Sequence, residues 1–431
     1  MLEPQPNMNN FLNKLFFRSK NQDYISSKVL ELSQNNSLKK IFSAINNFSE
    51  ISEIRFVGGC IRKIINKEMT DDIDLATNLK PDEVCKALRK NNINYYESGI
   101  EHGTITALIE DKKFEITSLR KDVATDGRHA KVEFSLDWKE DASRRDFTIN
   151  AIYADKDGNI FDPFNGKKDI EEGVINFIGE CEERIKEDYL RILRYVRFYL
   201  NYSKKPHDLK IIKIIRKNLG GVASLSSERL LDEFKKLVTL DNLQKLFKDQ
   251  NCLELIQLIF PQFKKIDIFK SPNQYIKNFF SKTDFIFILS LLVIDETDNA
   301  DYFLYKFKLS KKDQKRLKFI DNFYKQKINN KFYTEKNLNK LLYFQGRQSV
   351  IDIINFYLFN SKKVDKKLIK FIEIFNNKTI PTLPIGAKLL MSKYNLPEGK
   401  SLGEKLKKIE TIWVDNNFKI SEKQIQNIVK N

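Results

Sequence analysis

Cysteine and histidine are scarce: 431 residues include only 4 of the first and 3 of the second. Cys60, Cys85, Cys181 and Cys252 lie far apart with no Cys-x-x-Cys pair, which argues against a disulfide framework and a zinc ribbon. His102, His129 and His207 have no metal-ligand partner at helical or strand spacing, so no zinc site is expected. No stretch approaches the roughly 20 apolar residues a spanning helix needs. The longest, Phe285 to Ile294, is interrupted by Ser290 and reads as a buried core helix. The first residues contain Glu3, Gln5, Asn9 and Asn10 without a small-residue cleavage pattern, so no secretory signal is read and a cytoplasmic protein without a membrane partner is expected. There is neither a fixed-period repeat nor a low-complexity linker.

What is present is apolar and basic. With 41% hydrophobic and 31% charged residues the chain is too apolar for disorder and too long for one core, so two to four domains are expected. The net charge of +17 is uneven, about −3 for residues 1–200 and about +20 for residues 201–431. A basic half with interleaved aromatics (Phe303, Tyr305, Phe307, Phe323, Tyr324, Tyr333) suits a phosphate backbone, because each cation placed there releases condensed counterions. The alternative is lysine-coated amphipathic helices with those aromatics as core. Composition alone leaves the two even.

Periodicity divides the chain. A helical pair is predicted over Asp23 to Phe48, then a strand at Ile54 to Val57, a helix from Cys60 to about Asn66, and strands at Asp72 to Leu75, Gly103 to Glu110, Lys113 to Ser118 and Ile149 to Ala154. From about Cys181 nearly every segment has helical period, including Glu187 to Asn201, Asp208 to Asn218 and Ser227 to Leu240. Breaks near Asn165-Gly166 and at Ile380 to Pro384 are candidate boundaries. The fold class is α+β, a small mixed sheet followed by helices alone.

The chemistry starts at Val57-Gly58-Gly59-Cys60-Ile61-Arg62. A strand entering two glycines and a helix presents free backbone N–H groups to a polyphosphate, and glycine allows its close approach. Asp72-Ile73-Asp74 adds two carboxylates that strand period points to one face, where they could share Mg²⁺. A surface acidic turn is the bland reading, disfavoured by the matching glycines.

These residues resemble the nucleotidyltransferase superfamily that includes DNA polymerase β, and within it the class II tRNA nucleotidyltransferases (CCA-adding enzymes) and bacterial poly(A) polymerases. Further motifs follow in the family's order: Asp141-Ala142-Ser143-Arg144-Arg145-Asp146 through Asn150, then Asp162-Pro163-Phe164-Asn165-Gly166-Lys167. Glu187-Asp188-Tyr189-Leu190-Arg191 through Arg194 is similar to the nucleobase-reading helix, and Ser226-Ser227-Glu228-Arg229-Leu230-Leu231 to the element that braces it. The resemblance covers about Arg55 to Leu237. It implies a polymerase β-like head (22–180) after an N-terminal extension (1–21), a helical neck (181–245), body (246–375) and tail (376–431). Asp72, Asp74 and Glu115 are the implied catalytic carboxylates, the first two as metal ligands. Gly58, Gly59, Arg62, Arg144, Arg145, Asp146, Asn150, Asp188, Arg191, Arg194 and Arg197 are the implied nucleotide-binding residues. Mg²⁺, CTP and ATP, and the acceptor stem and 3′ end of tRNA, are the implied cofactor, substrates and partner.

The base-reading role has its own logic. On one helix Asp188 and Arg191 would share a face, offering an acceptor beside a two-donor fork. Cytosine and adenine carry an amino group where uracil and guanine carry a carbonyl oxygen. An i,i+3 surface ion pair is the competing reading. Arg144 and Arg145 suit a polyanion and Asp146 a ribose hydroxyl, against a purely structural salt bridge. Glu115 could equally be an edge-strand charge.

Two departures stand out: Lys63 follows Arg62 where the family usually has aspartate, and Asn165 replaces the first glycine of a pair, a mild change because Asn tolerates a left-handed turn. Ser98 to Thr106 with Phe114 to Arg120 looks like the CCA-adding branch, and Lys121 to Ser135 resembles the flexible loop of enzymes that complete the terminal A. A poly(A) polymerase, a partial CC- or A-adding enzyme, and a non-catalytic RNA-binding protein on this scaffold are the alternatives. His207-Asp208 spells the dipeptide of HD-type phosphohydrolases, but no histidine follows, so Asp208 is expected to cap a helix.

Overall fold

The computed structural model describes residues 24–70, 72–125, 130–328 and 330–430. The N-terminal extension, Asp71, Asp126-Gly127 and His129 lie outside them. The described residues divide into two compact units at Lys236/Leu237, so the head and most of the predicted neck share one unit.

In the first unit the helical pair is present as 24–33 and Asn36–Asn46. A seven-stranded mixed sheet follows in the order β3-β4-β5-β2-β1-β8-β9. Its strands are β1 (Ile54–Val57), β2 (Asp74–Thr77), β3 (Asn94–Gly99), β4 (Thr104–Ile109), β5 (Lys112–Ser118), β8 (Tyr153–Ala154) and β9 (Ile160–Phe161). Only β2 and β5 run parallel; the other neighbours are antiparallel. One face packs into a cluster of Val57, Ala76, Leu119, Trp138, Ala142, Ala151, Tyr153 and Ile178, which fixes the helix Trp138–Ser143 against strands β2, β1 and β8.

Several sequence expectations are corrected. β2 begins at Asp74, leaving Asp72 before the strand. The predicted strand at Ile149 to Ala154 begins in a 3₁₀ turn, Thr148–Asn150, and only Tyr153–Ala154 forms a strand. The segment likened to a flexible loop contributes β6 (Arg120–Thr125) and β7 (Ala130–Phe134), an antiparallel ribbon. The helix expected from Glu187 is two, Cys181–Glu187 and Leu190–Tyr202, broken at Asp188-Tyr189. Asp208 does cap its helix, its side chain accepting from Lys210 N.

Every regular element named for the second unit is helical, from Leu240–Leu246 to Glu422–Lys430. Phe285–Val293 is the buried core helix its composition implied. Arg316 ties it down by donating to Asp284, the residue capping its first turn, and to Asp352, at 2.7–2.8 Å. Phe303, Phe307 and Tyr333 are core residues, whereas Tyr305 is exposed. A separate apolar cluster of Ile385, Leu390, Leu402, Ile409 and Ile425 unites the last helices. About +15 of the +17 net charge lies in this unit. No described helix is long and apolar enough to cross a membrane.

Candidate active site

The glycine turn and the carboxylates meet. Gly58 ends β1 with φ +69°, a conformation that favours glycine, and starts the helix Gly59–Ile65. A Cβ placed on Gly59 would stand 3.9 Å from Asp74 Oδ2 and 3.8 Å from Arg62 Nη2. The parallel register pairs Asp74 with Glu115, so the two side chains occupy the same face on adjacent strands. Burial pushes the Asp74 carboxyl up from its ordinary value, the Asp72 and Glu115 charges push it further, and Arg145 and Arg62 only partly offset them. Asp72 is exposed beside it. Carboxylates crowded against one another, with oxygen donors and no imidazole in the group, fit a hard divalent cation. Glu115, the weakest of the sequence candidates, owes its place to the β2–β5 pairing, which no local pattern reveals.

The second motif is built more tightly than its sequence suggests. Asp141, almost fully buried, accepts from Arg144 at 2.7 Å, from Arg145 at 3.1 Å and from the Tyr153 hydroxyl at 2.7 Å. Arg145 Nη1 also reaches the Asn150 carbonyl at 3.4 Å and would stand 3.4 Å from a Cβ on Gly58, so it buttresses the glycine turn from behind. Burial would raise the Asp141 carboxyl, but Arg145, Arg144 and Tyr153 outweigh it and hold it down at about 2. A depressed carboxyl contributes stability above its unfolded pKa and loses it as pH falls through the folded value. Asp141→Asn is therefore expected to cost about 3 kcal/mol at neutral pH, with the difference from wild type closing between about pH 4 and pH 2. Thermal melts across that range check it; a difference independent of pH would mean that packing, not charge, sets the cost.

Asp146 belongs to a ladder joining the glycine helix to the neck. Arg62 donates to the Asn150 side-chain oxygen, Asn150 donates to Asp146 Oδ1 at 2.8 Å, and Arg194 donates to Asp146 Oδ2 at 2.6 Å. Glu233, buried on Ser227–Leu237, then accepts from Arg197 and lies 3.7 Å from Arg194. Phe198 packs under three of these guanidinium groups, at 4.9 Å from Arg62, 5.5 Å from Arg194 and 4.1 Å from Arg197. Burial would raise the Asp146 carboxyl, yet Arg194 and Asn150 hold it down at about 2. Glu233 was not foreseen; its position one helical turn after Arg229 was the available signal.

Asp188 sits in the break between two helices rather than on one, where its side chain accepts from Leu190 N at 3.1 Å and opens the helix that carries Arg191. Its other oxygen accepts from Arg229 at 2.7 Å, which ties the bracing segment to Asp188. Arg191 donates from Nη1 to Glu187 Oε2 and to the Arg184 carbonyl, both at 2.7 Å. Each side chain is thus held by other groups, Asp188 by Leu190 N and Arg229, Arg191 by Glu187 and the Arg184 carbonyl. Asn165 has φ +58°, the left-handed turn anticipated for it, and Gly166 is required by close approach, since a Cβ there would lie 2.1 Å from the Thr148 carbonyl.

Residues 54–176 match the family model described as the poly A polymerase head domain. Over most of the chain the sequence is similar to human CCA tRNA nucleotidyltransferase 1, mitochondrial, at 30% identity covering 91% of this chain and 89% of that protein. It is 31% identical to the Bacillus subtilis CCA-adding enzyme, covering 87% and 93%. This chain belongs to the CCA-adding tRNA nucleotidyltransferases. Its fold agrees with that family's: the Bacillus stearothermophilus CCA-adding enzyme in complex with CTP superposes with a TM-score of 0.68 at 21% identity, covering 92% of this chain and 98% of that one. The Thermotoga maritima CCA-adding enzyme complexed with tRNA gives 0.59 at 18% identity, covering 94% and 98%. Nucleotidyltransferases of this family generally use a divalent metal ion, the chemistry that the crowded carboxylates fit.

Proposed function

We propose that this protein adds or repairs the 3′-terminal CCA of tRNA, taking CMP from CTP twice and AMP from ATP once and releasing pyrophosphate. The observation that carries the reading is the presence of the Asp74–Glu115 pair, the Gly58-Gly59 turn and the braced Asp188 and Arg191 side chains within one unit of a member of this family.

The free backbone N–H groups after Gly58 and the exposed side of Arg144 receive the triphosphate. Asp188 retains lone pairs on both oxygens beyond those used by Leu190 N and Arg229. It accepts from the amino group of cytosine or adenine while Arg191 donates to a ring or carbonyl acceptor. Uracil and guanine would place an acceptor against the carboxylate, an unpaired contact that costs selectivity-determining energy. Asp72 and Asp74, with Glu115 beside them, would hold the metal ion, Mg²⁺ in this proposal; bound there, it supplies electrostatic stabilisation to the attacking 3′-hydroxyl and the departing pyrophosphate. The Arg62–Asn150–Asp146–Arg194 ladder keeps the glycine turn and the base-reading helix in register. The basic second unit grips the acceptor arm and upper stem of tRNA through phosphates and 2′-hydroxyls, reading shape more than sequence.

The test incubates the protein with Mg²⁺ and a tRNA transcript lacking its last three nucleotides, with CTP, ATP, both, or each other NTP. Sequencing of the 3′ ends is expected to show CCA and a stop. A run of A, or CC or A alone, would assign the matching sibling activity; no addition to any RNA end would leave an RNA-binding protein on an inherited fold.

A further inference from the structure

Arg184 is absent from the residues to which the reaction points, yet it is the junction between the two parts that handle the nucleotide. It is largely buried on the short helix Cys181–Glu187. Its Nη2 donates to the backbone carbonyls of Arg144 and Arg145, the latter at 2.6 Å. Its Nη1 donates to Glu187 Oε2 at 2.6 Å, the same oxygen that accepts from Arg191 at 2.7 Å. The Arg184 carbonyl is the second acceptor for that Arg191 nitrogen. One residue thus grips the residues after the Trp138–Ser143 helix with its side chain, and the base-reading guanidinium both directly through its backbone carbonyl and indirectly through the Glu187 carboxylate they share.

Burial, and then the neighbouring Arg191 charge, bear against the charged form of Arg184, and its Nε is buried without a partner. A buried cation with an unsatisfied donor carries a stability cost. The contacts it makes suggest what is gained in return: a planar fork spans two carbonyls and a carboxylate at once, which a flexible ammonium cannot do.

We propose that Arg184 is a positioning residue for nucleotide selectivity, fixing the aim of Arg191 relative to the Arg144–Asp146 segment that faces triphosphate and ribose. This rests on the base-reading role proposed for Asp188 and Arg191. When the segment at Arg144 shifts, Arg184 transmits the shift to Glu187 and so to Arg191. Base choice is then tied to how the rest of the nucleotide is seated. An Arg191 released from this bridge still donates, but its aim is no longer set, so discrimination suffers before turnover does.

The experiment compares wild type, Arg184→Gln, Arg184→Lys and Glu187→Gln in single-nucleotide addition to tRNA transcripts ending before C or before A, with all four NTPs. Arg184→Gln is expected to lower the preference for the correct nucleotide by at least about tenfold, mainly through KM for the NTP, with KM for tRNA unchanged. Arg184→Lys is expected to recover part of that preference, because it can still pair with Glu187. Glu187→Gln removes the bridging charge without touching the carbonyl contacts and is expected to give a smaller loss in the same direction; it carries the test if Arg184 variants melt well below wild type. Selectivity equal to wild type in folded Arg184→Gln, or in folded Glu187→Gln where Arg184→Gln does not fold, overturns the inference, as does an equal fall in kcat for every NTP. A wild-type protein that adds nucleotides without base preference overturns the base-reading proposal instead, so the two failures are distinct.

Discussion

Asp74→Asn is expected to reduce incorporation of both CMP and AMP by about 10³-fold or more while leaving the Kd for tRNA within about threefold of wild type. The amide keeps the volume and removes the charge that lies in register with Glu115 and next to the Gly59 turn. Burial and the Asp72 and Glu115 charges already disfavour the Asp74 carboxylate, so the neutral side chain relieves repulsion and the variant should melt no lower than wild type. Loss of activity in a protein of undiminished stability then reports on chemistry alone. Unchanged tRNA binding follows from the charge distribution, since the first unit has little net charge and the second holds the basic surface. Single-turnover incorporation and a tRNA binding titration at fixed salt check both halves. Activity within tenfold of wild type would remove Asp74 from the metal site, and a large loss of tRNA affinity would refute the division between chemistry and grip.

The parts of this site that were legible in the sequence are those encoded by neighbours in the chain. Val57-Gly58-Gly59 announces a strand, a turn and a helix because glycine conformations and strand period are local properties, and the structure has all three there. The left-handed Asn165 is local in the same sense. Asp72 illustrates the limit: period 2 runs through Asp72-Ile73-Asp74, but pairing starts only at Asp74 with β5 and at Leu75 with β1. Asp188 is a second case, because Glu187 to Asn201 has continuous helical period, while a carboxylate that caps the next helix and pairs with Arg229 ends the first one. The adjacent arginines that looked like a polyanion site are partly committed inward, to an Asp141 whose significance depends on Tyr153 and on the sheet behind it. Glu233 and Arg184 act across 36 to 40 positions of sequence, beyond anything that spacing along one element can convey. The tertiary network, not the motif, decides which of several charged residues face the nucleotide and which hold the others in place.

Asp188→Ala is expected to raise kcat/KM for UTP and GTP relative to CTP and ATP by about 10- to 100-fold, with a smaller fall in kcat for the correct nucleotides. The carboxylate has two jobs that the structure separates. One oxygen opens the helix Leu190–Tyr202 by accepting from Leu190 N, and the other holds Arg229. Loss of the cap costs about 1 kcal/mol of local stability, too little to unfold a helix whose buried face includes Ile192, Leu193, Val196 and Phe198. Loss of the acceptor removes the group against which a carbonyl oxygen of uracil or guanine is repelled. Asp188→Asn keeps an oxygen for the helix N-terminus, gives up the ion pair with Arg229, and can offer its amide N–H to a carbonyl, so its selectivity should shift toward UTP and GTP rather than merely relax. Arg229→Met should weaken discrimination in the direction of Asp188→Ala, because the brace is lost while the carboxylate remains. Steady-state kinetics with each NTP on transcripts ending before C and before A measure all three. A ratio unchanged in Asp188→Ala would remove Asp188 from base reading, leaving it as a helix cap tied to Arg229.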